Sequence, residues 1–88
     1  MPWRVVFSEN AEKDLARLDR AVRQRIIGKI EWLAEHFDES FPMPLHGEFS
    51  EFSKLRVGDL RVFYQIDWEG ERLKIVYIKN RSDAYKKH

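Results

Sequence analysis

The first residues alternate. Trp3, Val5 and Phe7 fall on one side of an extended chain and Arg4 and Val6 on the other, which predicts a short strand with one buried face. From Ser8 the period changes. Ala11, Leu15 and Leu18 recur at helical spacing, the Ser8 hydroxyl can accept a free amide hydrogen, and Glu9 and Glu12 suit the positive end of a helix dipole. Asp19 is placed to end this helix and cap a second one. Val22, Ile26, Ile30, Leu33 and Phe37 form its stripe, with Trp32 nearby, so the second helix is expected over about residues 20–37. Two helices joined almost without a loop predict a helical hairpin that lays one shared apolar stripe on a sheet. The next segment, DESFPMPLHGEFS, has two prolines and a glycine and reads as a surface connection. Beyond it the period is two. Leu55 and Val57, then Val62, Tyr64 and Ile66, then Leu73, Ile75 and Tyr77 mark three strands. They are separated by Gly58-Asp59 and by Trp68-Glu69-Gly70-Glu71, which predicts an antiparallel meander. The order is β–α–α–β–β–β in one α+β domain over residues 1–88, a helical hairpin packed on a small, mainly antiparallel twisted sheet. No repeat or low-complexity segment interrupts it.

Eighty-eight residues leave no room for a second domain, and a chain of this size buries only about 60% of its unfolded surface. Apolar residues at 43% and aromatics at 14% suit a packed core, and 35% charged residues imply a heavily solvated exterior. There is no cysteine, so neither a disulfide nor a thiolate metal site supplements that core. The start, MPWRVVFSENAEKDL, lacks an apolar run of signal-peptide length, and no segment approaches the ~20 apolar residues of a membrane span. A cytoplasmic protein without membrane contact is expected.

The net charge of +1 is unevenly distributed: residues 1–50 hold 7 Lys/Arg against 9 Asp/Glu, whereas residues 51–88 hold 9 against 6. An acidic belt from Glu31 to Glu51 separates two basic regions. Strand alternation puts Lys54 and Arg56 on the face opposite Leu55 and Val57, and Arg61, Phe63 and Gln65 opposite Val62, Tyr64 and Ile66. With the helices on the apolar face, the other face displays Lys54, Arg56 and Arg61. Strict alternation groups Lys79 with Leu73, Ile75 and Tyr77, and extends to Arg81 if the strand continues. This cation cluster has two readings. It is a solvated face, with Asp59, Asp67, Glu69 and Asp83 available as weak ion-pair partners, or it is an anion site in which guanidinium groups grip phosphate oxygens bidentately. Arg17, Arg20, Arg23, Arg25 and Lys29 add a basic stripe on the helices, open to phosphate contact or to solvent alike.

Three stretches in this order and spacing, WRVVFSENAEKDLARLD, LRVGDLRVFYQI and IKNRSDAY, closely resemble the RelE/ParE superfamily of bacterial toxins. The resemblance covers nearly the whole chain and implies a RelE-like fold, the same β–α–α–β–β–β order. RelE-like members cut mRNA in the ribosomal A site, and ParE-like members poison DNA gyrase. Lys54 in KLR, Arg61 after the turn and Tyr85 in the tail match the family's catalytic positions, which favours the RelE-like branch. Two positions depart from the pattern: Phe52 stands where some relatives have a lysine, and Lys79 where a relative has arginine. Arg81 can supply the missing guanidinium. The resemblance also implies a type II toxin–antitoxin system, with a cognate antitoxin, the ribosome and mRNA as partners and DNA contact only through the antitoxin complex. No metal or other cofactor is required. A gyrase inhibitor and a degenerate toxin that only binds antitoxin and regulates its operon are the alternatives.

Metal-independent cleavage needs a base for the ribose 2′-hydroxyl, stabilisation of charge on phosphorus and an acid for the departing 5′-oxygen. Arg61 suits the second task. Neighbouring cations favour the deprotonated form of a phenol or an amine, so Tyr85 or Lys54 is assigned the base. Lys79 or Arg81 is assigned the leaving oxygen, and Arg56, Arg17, Arg20 and Arg23 are assigned to RNA phosphates. Phe52, Phe63 and Tyr64 are candidates to stack on bases, with core packing the expected role for at least two of them. His36, His46 and His88 have no metal-ligand spacing, His46 being a loop residue with a possible acid role, and none of the serines sits in a nucleophile elbow.

Overall fold

Ser8 ends the first strand and starts the first helix. A computed structural model describes residues 3–37 and 53–80. Strand β1 (Arg4–Phe7) leads into α1 (Glu9–Ala16), where the Ser8 hydroxyl accepts the Ala11 amide at 3.0 Å. Helix α2 (Arg20–Glu35) follows after a joint of three residues. Asp19 occupies its N-cap position, but only the Asp19 backbone carbonyl contributes, accepting the Arg23 amide at 2.8 Å, and the carboxylate expected to cap makes no such bond. The Arg23 guanidinium instead reaches back to the Leu15 carbonyl at 3.4 Å and ties the helices together. No helix among the described residues is long and apolar enough to cross a membrane.

Strands β2 (Ser53–Val57), β3 (Leu60–Asp67) and β4 (Arg72–Asn80) form the meander, and β1 joins its far edge in the order β1-β4-β3-β2. The pairing of β1 with β4 is parallel: the helical hairpin lies in sequence between β1 and β2, which are at opposite edges of the sheet, and the meander brings the chain back to β1. Both other pairings are antiparallel. Gly58, at φ 60°, makes the tight turn between β2 and β3.

One core lies between the helices and one face of the sheet. Ile26, Ile30 and Leu33 of α2, with Ala11 of α1, meet Val57, Val62, Tyr64, Leu73, Ile75 and Ile78, all buried. Trp3, Phe37 and Trp68 close one end of it as an aromatic cluster, with ring centroids 4.6–5.6 Å apart. Trp32 is not part of this core: it is 51% exposed and stacks on His36 at 4.5 Å.

Strict alternation fails in β4. Phe63 pairs with Tyr77 while Tyr64 pairs with Ile75, so Val76 is an extra residue, a β-bulge. Leu73 and Ile75 face the core as expected, Ile78 takes the next inward position, and Tyr77 and Lys79 move to the opposite face. The bulge lies where β1 has ended. Beyond Phe7 no strand of the described residues flanks the outer edge of β4, and the start of the helical hairpin meets its backbone instead: the Ser8 hydroxyl donates to the Val76 carbonyl at 2.6 Å, and an Asp14 carboxylate oxygen accepts the Ile78 amide at 2.9 Å.

Candidate nucleic-acid interface

Side chains on the sheet face away from the helices form ladders across the strands, because register partners point the same way. Arg56 lies opposite Arg61, and Arg61 opposite Lys79, making one rung of three cations. Lys54, Phe63 and Tyr77 form the next rung. Gln65, Lys74 and Val6 form a third, and Asp67, Arg72 and Arg4 a fourth. Asp67 is the one carboxylate on these rungs, and it is already engaged. Its oxygens accept the Gly70 amide at 3.0 Å and the Arg72 guanidinium at 2.8 Å, which holds the Asp67 carboxyl below its ordinary range.

Arg72 and Asp67 are the only ion pair among the described residues. Asp59 and Glu69 therefore do not neutralise the cluster, contrary to the solvated-pair reading, and Asp83 lies outside the described residues. Arg61 is 7% exposed, and its side chain donates to the Leu60 carbonyl at 3.3 Å. The expectation of three displayed cations thus holds for Lys54 and Arg56, which are exposed on edge strand β2, but not for Arg61. Central strand β3 places it between two flanking rows of side chains. Like charges directly opposite each other destabilise a sheet. A buried guanidinium between Arg56 and Lys79, with no carboxylate paired to it among the described residues, has the chemistry of an anion receptor.

Lys79 is half-buried, its Nζ 5.6 Å from the centre of the Tyr77 ring. The bulge, not the period, brings it beside Arg61. Tyr77 was missed by the sequence reading, which grouped it with Leu73 and Ile75. The available signal was the unbroken run Ile75-Val76-Tyr77-Ile78, in which no strict alternation can bury both Ile75 and Ile78. Tyr64 faces the core at 1% exposure, and burial pushes its phenol up despite a hydrogen bond with the Ser53 side chain. It is no base-stacking residue. Phe63 is half-buried on the cationic face, and Phe52 lies outside the described residues.

Arg17, Arg20 and Arg23 belong to the helical layer, so the sheet separates them from the strand cations. Arg17 and Arg20 are exposed, while Arg23 is occupied by the Leu15 carbonyl. They form no common site with Arg61. Arg81, Tyr85, His46 and His88 lie outside the described residues.

Residues 5–85 match the family model for the ParE toxin of the type II toxin-antitoxin system parDE. A toxin RelE of Mycobacterium tuberculosis is 27% identical over 85 residues, covering 97% of this chain and 88% of its own. Among solved structures, the archaeal RelE-RelB complex from Pyrococcus horikoshii superposes with a TM-score of 0.72 at 26% identity, covering 92% of this chain and 97% of that one. The isolated RelE toxin of E. coli superposes at 0.67 with 20% identity, covering 94% and 90% respectively. With the family model matched from β1 into the tail and the fold shared over more than nine-tenths of the chain, this chain belongs to the RelE/ParE superfamily of type II toxin–antitoxin toxins.

Proposed function

We propose that this toxin is a metal-independent endoribonuclease that cuts mRNA in the ribosomal A site and is held inactive by a cognate antitoxin. The observation that carries the reading is the rung Arg56, Arg61 and Lys79, with Arg61 buried and no carboxylate paired to it among the described residues. Relatives named RelE support it, and structures of RelE with RelB support the antitoxin partner. In the proposed reaction a ribose 2′-oxygen loses its proton to Tyr85 or Lys54 and attacks the adjacent phosphorus. The bond from phosphorus to the 5′-oxygen breaks, leaving a 2′,3′-cyclic phosphate, and the departing oxygen takes a proton from Lys79 or is stabilised by Arg81. Arg61 stabilises the charge that builds on the equatorial oxygens.

Primer extension on a translated mRNA, with and without ribosomes, tests the reading. Cuts in codon register that need ribosomes and disappear in Arg61→Ala are expected. No cuts from folded, toxic protein overturn it. The family model named for ParE favours a second reading, inhibition of DNA gyrase. Loss of gyrase supercoiling without mRNA cuts selects that one.

A further inference from the structure

We infer that Phe63 and Tyr77 form a nucleobase-stacking subsite on the cationic face, seating one base of a single-stranded RNA whose phosphates lie on the flanking cations. The two rings are cross-strand partners with centroids 4.9 Å apart, tilted by 48°. Neither belongs to the buried core between helices and sheet. They are half-buried on the other face, where the remaining rung partners are cations, polar groups and Val6.

Charge surrounds this aromatic rung on three sides. Lys54 is the register partner of Phe63 on β2, Arg61 and Lys79 occupy the rung above, and Lys74 stands on the rung below. Neighbouring rungs are separated by two residues of strand rise, roughly 7 Å, a distance within one nucleotide's reach from base to phosphate. A concavity of about 780 Å³ begins one rung below the pair, at Val6, Gln65 and Lys74, and runs on to Asp67 and Arg72; the two rings themselves do not line it. Aromatic platforms within a basic groove bind single strands by base stacking, which is sequence-tolerant because every base has a π-face. The pair exists because Val76 is extra: without the bulge, Tyr77 points into the core and leaves Phe63 without that ring as its cross-strand partner.

The inference rests on the RNA-cutting reading for its ligand, and binding separates the two. The probe is a short single-stranded RNA carrying one 2-aminopurine, alongside the same RNA with an abasic residue at that position, titrated with the full chain at low salt. Stacking is expected to quench the 2-aminopurine and to favour the base-bearing RNA on the order of tenfold. Phe63→Leu is expected to abolish that preference while leaving affinity for the abasic RNA within about twofold, since the phosphate contacts remain. Phe63→Tyr, which keeps a ring, restores quenching. Equal affinity of the wild type for the two RNAs overturns the subsite whether or not the variants fold. So does a Phe63→Leu protein that loses affinity for both RNAs in proportion. Ribosome-dependent cuts without base preference sink the subsite alone, and base preference without cuts leaves it standing while the nuclease reading falls.

Discussion

Arg61 shows a conflict between stability and function in one side chain. It lies between Arg56 and Lys79 with no carboxylate in reach among the described residues, so the fold tolerates repulsion there. Arg61→Met, which keeps the aliphatic stem, is expected to hold or raise the midpoint of thermal unfolding. The same variant should lose roughly a hundredfold or more in ribosome-dependent cleavage, the scale of removing one preorganised donor to a transition-state oxyanion. Unfolding by circular dichroism together with primer extension checks both halves. Asp67 makes the opposite case. The Gly70 amide and Arg72 lower its carboxyl below the unfolded value of about 3.9, so the unfolded chain binds more protons in that window. Its contribution is present above that value and is lost as pH falls through the lower folded one. Denaturation across pH should therefore show Asp67→Asn less stable than wild type at neutral pH and indistinguishable from it at the acid end. Gly58 is a purely conformational residue: at φ 60° an added Cβ meets only ordinary contact with Arg25 at 3.6 Å. Gly58→Ala is expected to cost about 1 kcal/mol in urea unfolding, from backbone strain.

At the scale of elements, the join between α1 and β4 governs where the last strand points its side chains. Ser8 and Asp14 satisfy backbone groups at the bulge that no strand among the described residues reaches. Asp14→Ala leaves the Ile78 amide without its acceptor and is expected to cost about 1–3 kcal/mol of stability. Faster hydrogen exchange at Ile78 should accompany the loss. Asp14→Asn keeps a carbonyl oxygen in place and should recover most of both. Element types and order were legible in the sequence, because Ala11 and Leu15 carry helical spacing and Val62, Tyr64 and Ile66 that of a strand with one buried face, although Leu18, read as the next turn of α1, lies in the joint after it. The Ser8 cap was legible for the same local reason. Asp19 was not, because whether a carboxylate turns toward its own helix depends on competing geometry that a residue type does not encode.

At the scale of the whole molecule, the described residues form one helical layer on one sheet, and the core that stabilises them lies at that interface. Ile30 and Leu33 from α2 and Ile75 from the sheet are at most 1% exposed. Truncating Leu33 to Ala is expected to cost about 2–5 kcal/mol, a large share of the total for a domain this small. Thermal unfolding of that variant measures it. Such a substitution touches no cation and should lower activity only by lowering the folded fraction. The sequence by itself determined the α+β order, the core stripe and the presence of cations on β2 and β3, because periods of 3.6 and 2 are local properties of a chain. It also carried the family resemblance through its three motifs. Tertiary structure alone decided that Arg61 is buried, that Asp67 is spent on Arg72, and that Arg17, Arg20 and Arg23 share no site with Arg61. Above all it decided that Lys79 and Tyr77 join the cationic face, because a bulge inverts every side chain beyond it, and where pairing slips by one residue is set by the partner strand and by Ser8 and Asp14 of the element packed alongside.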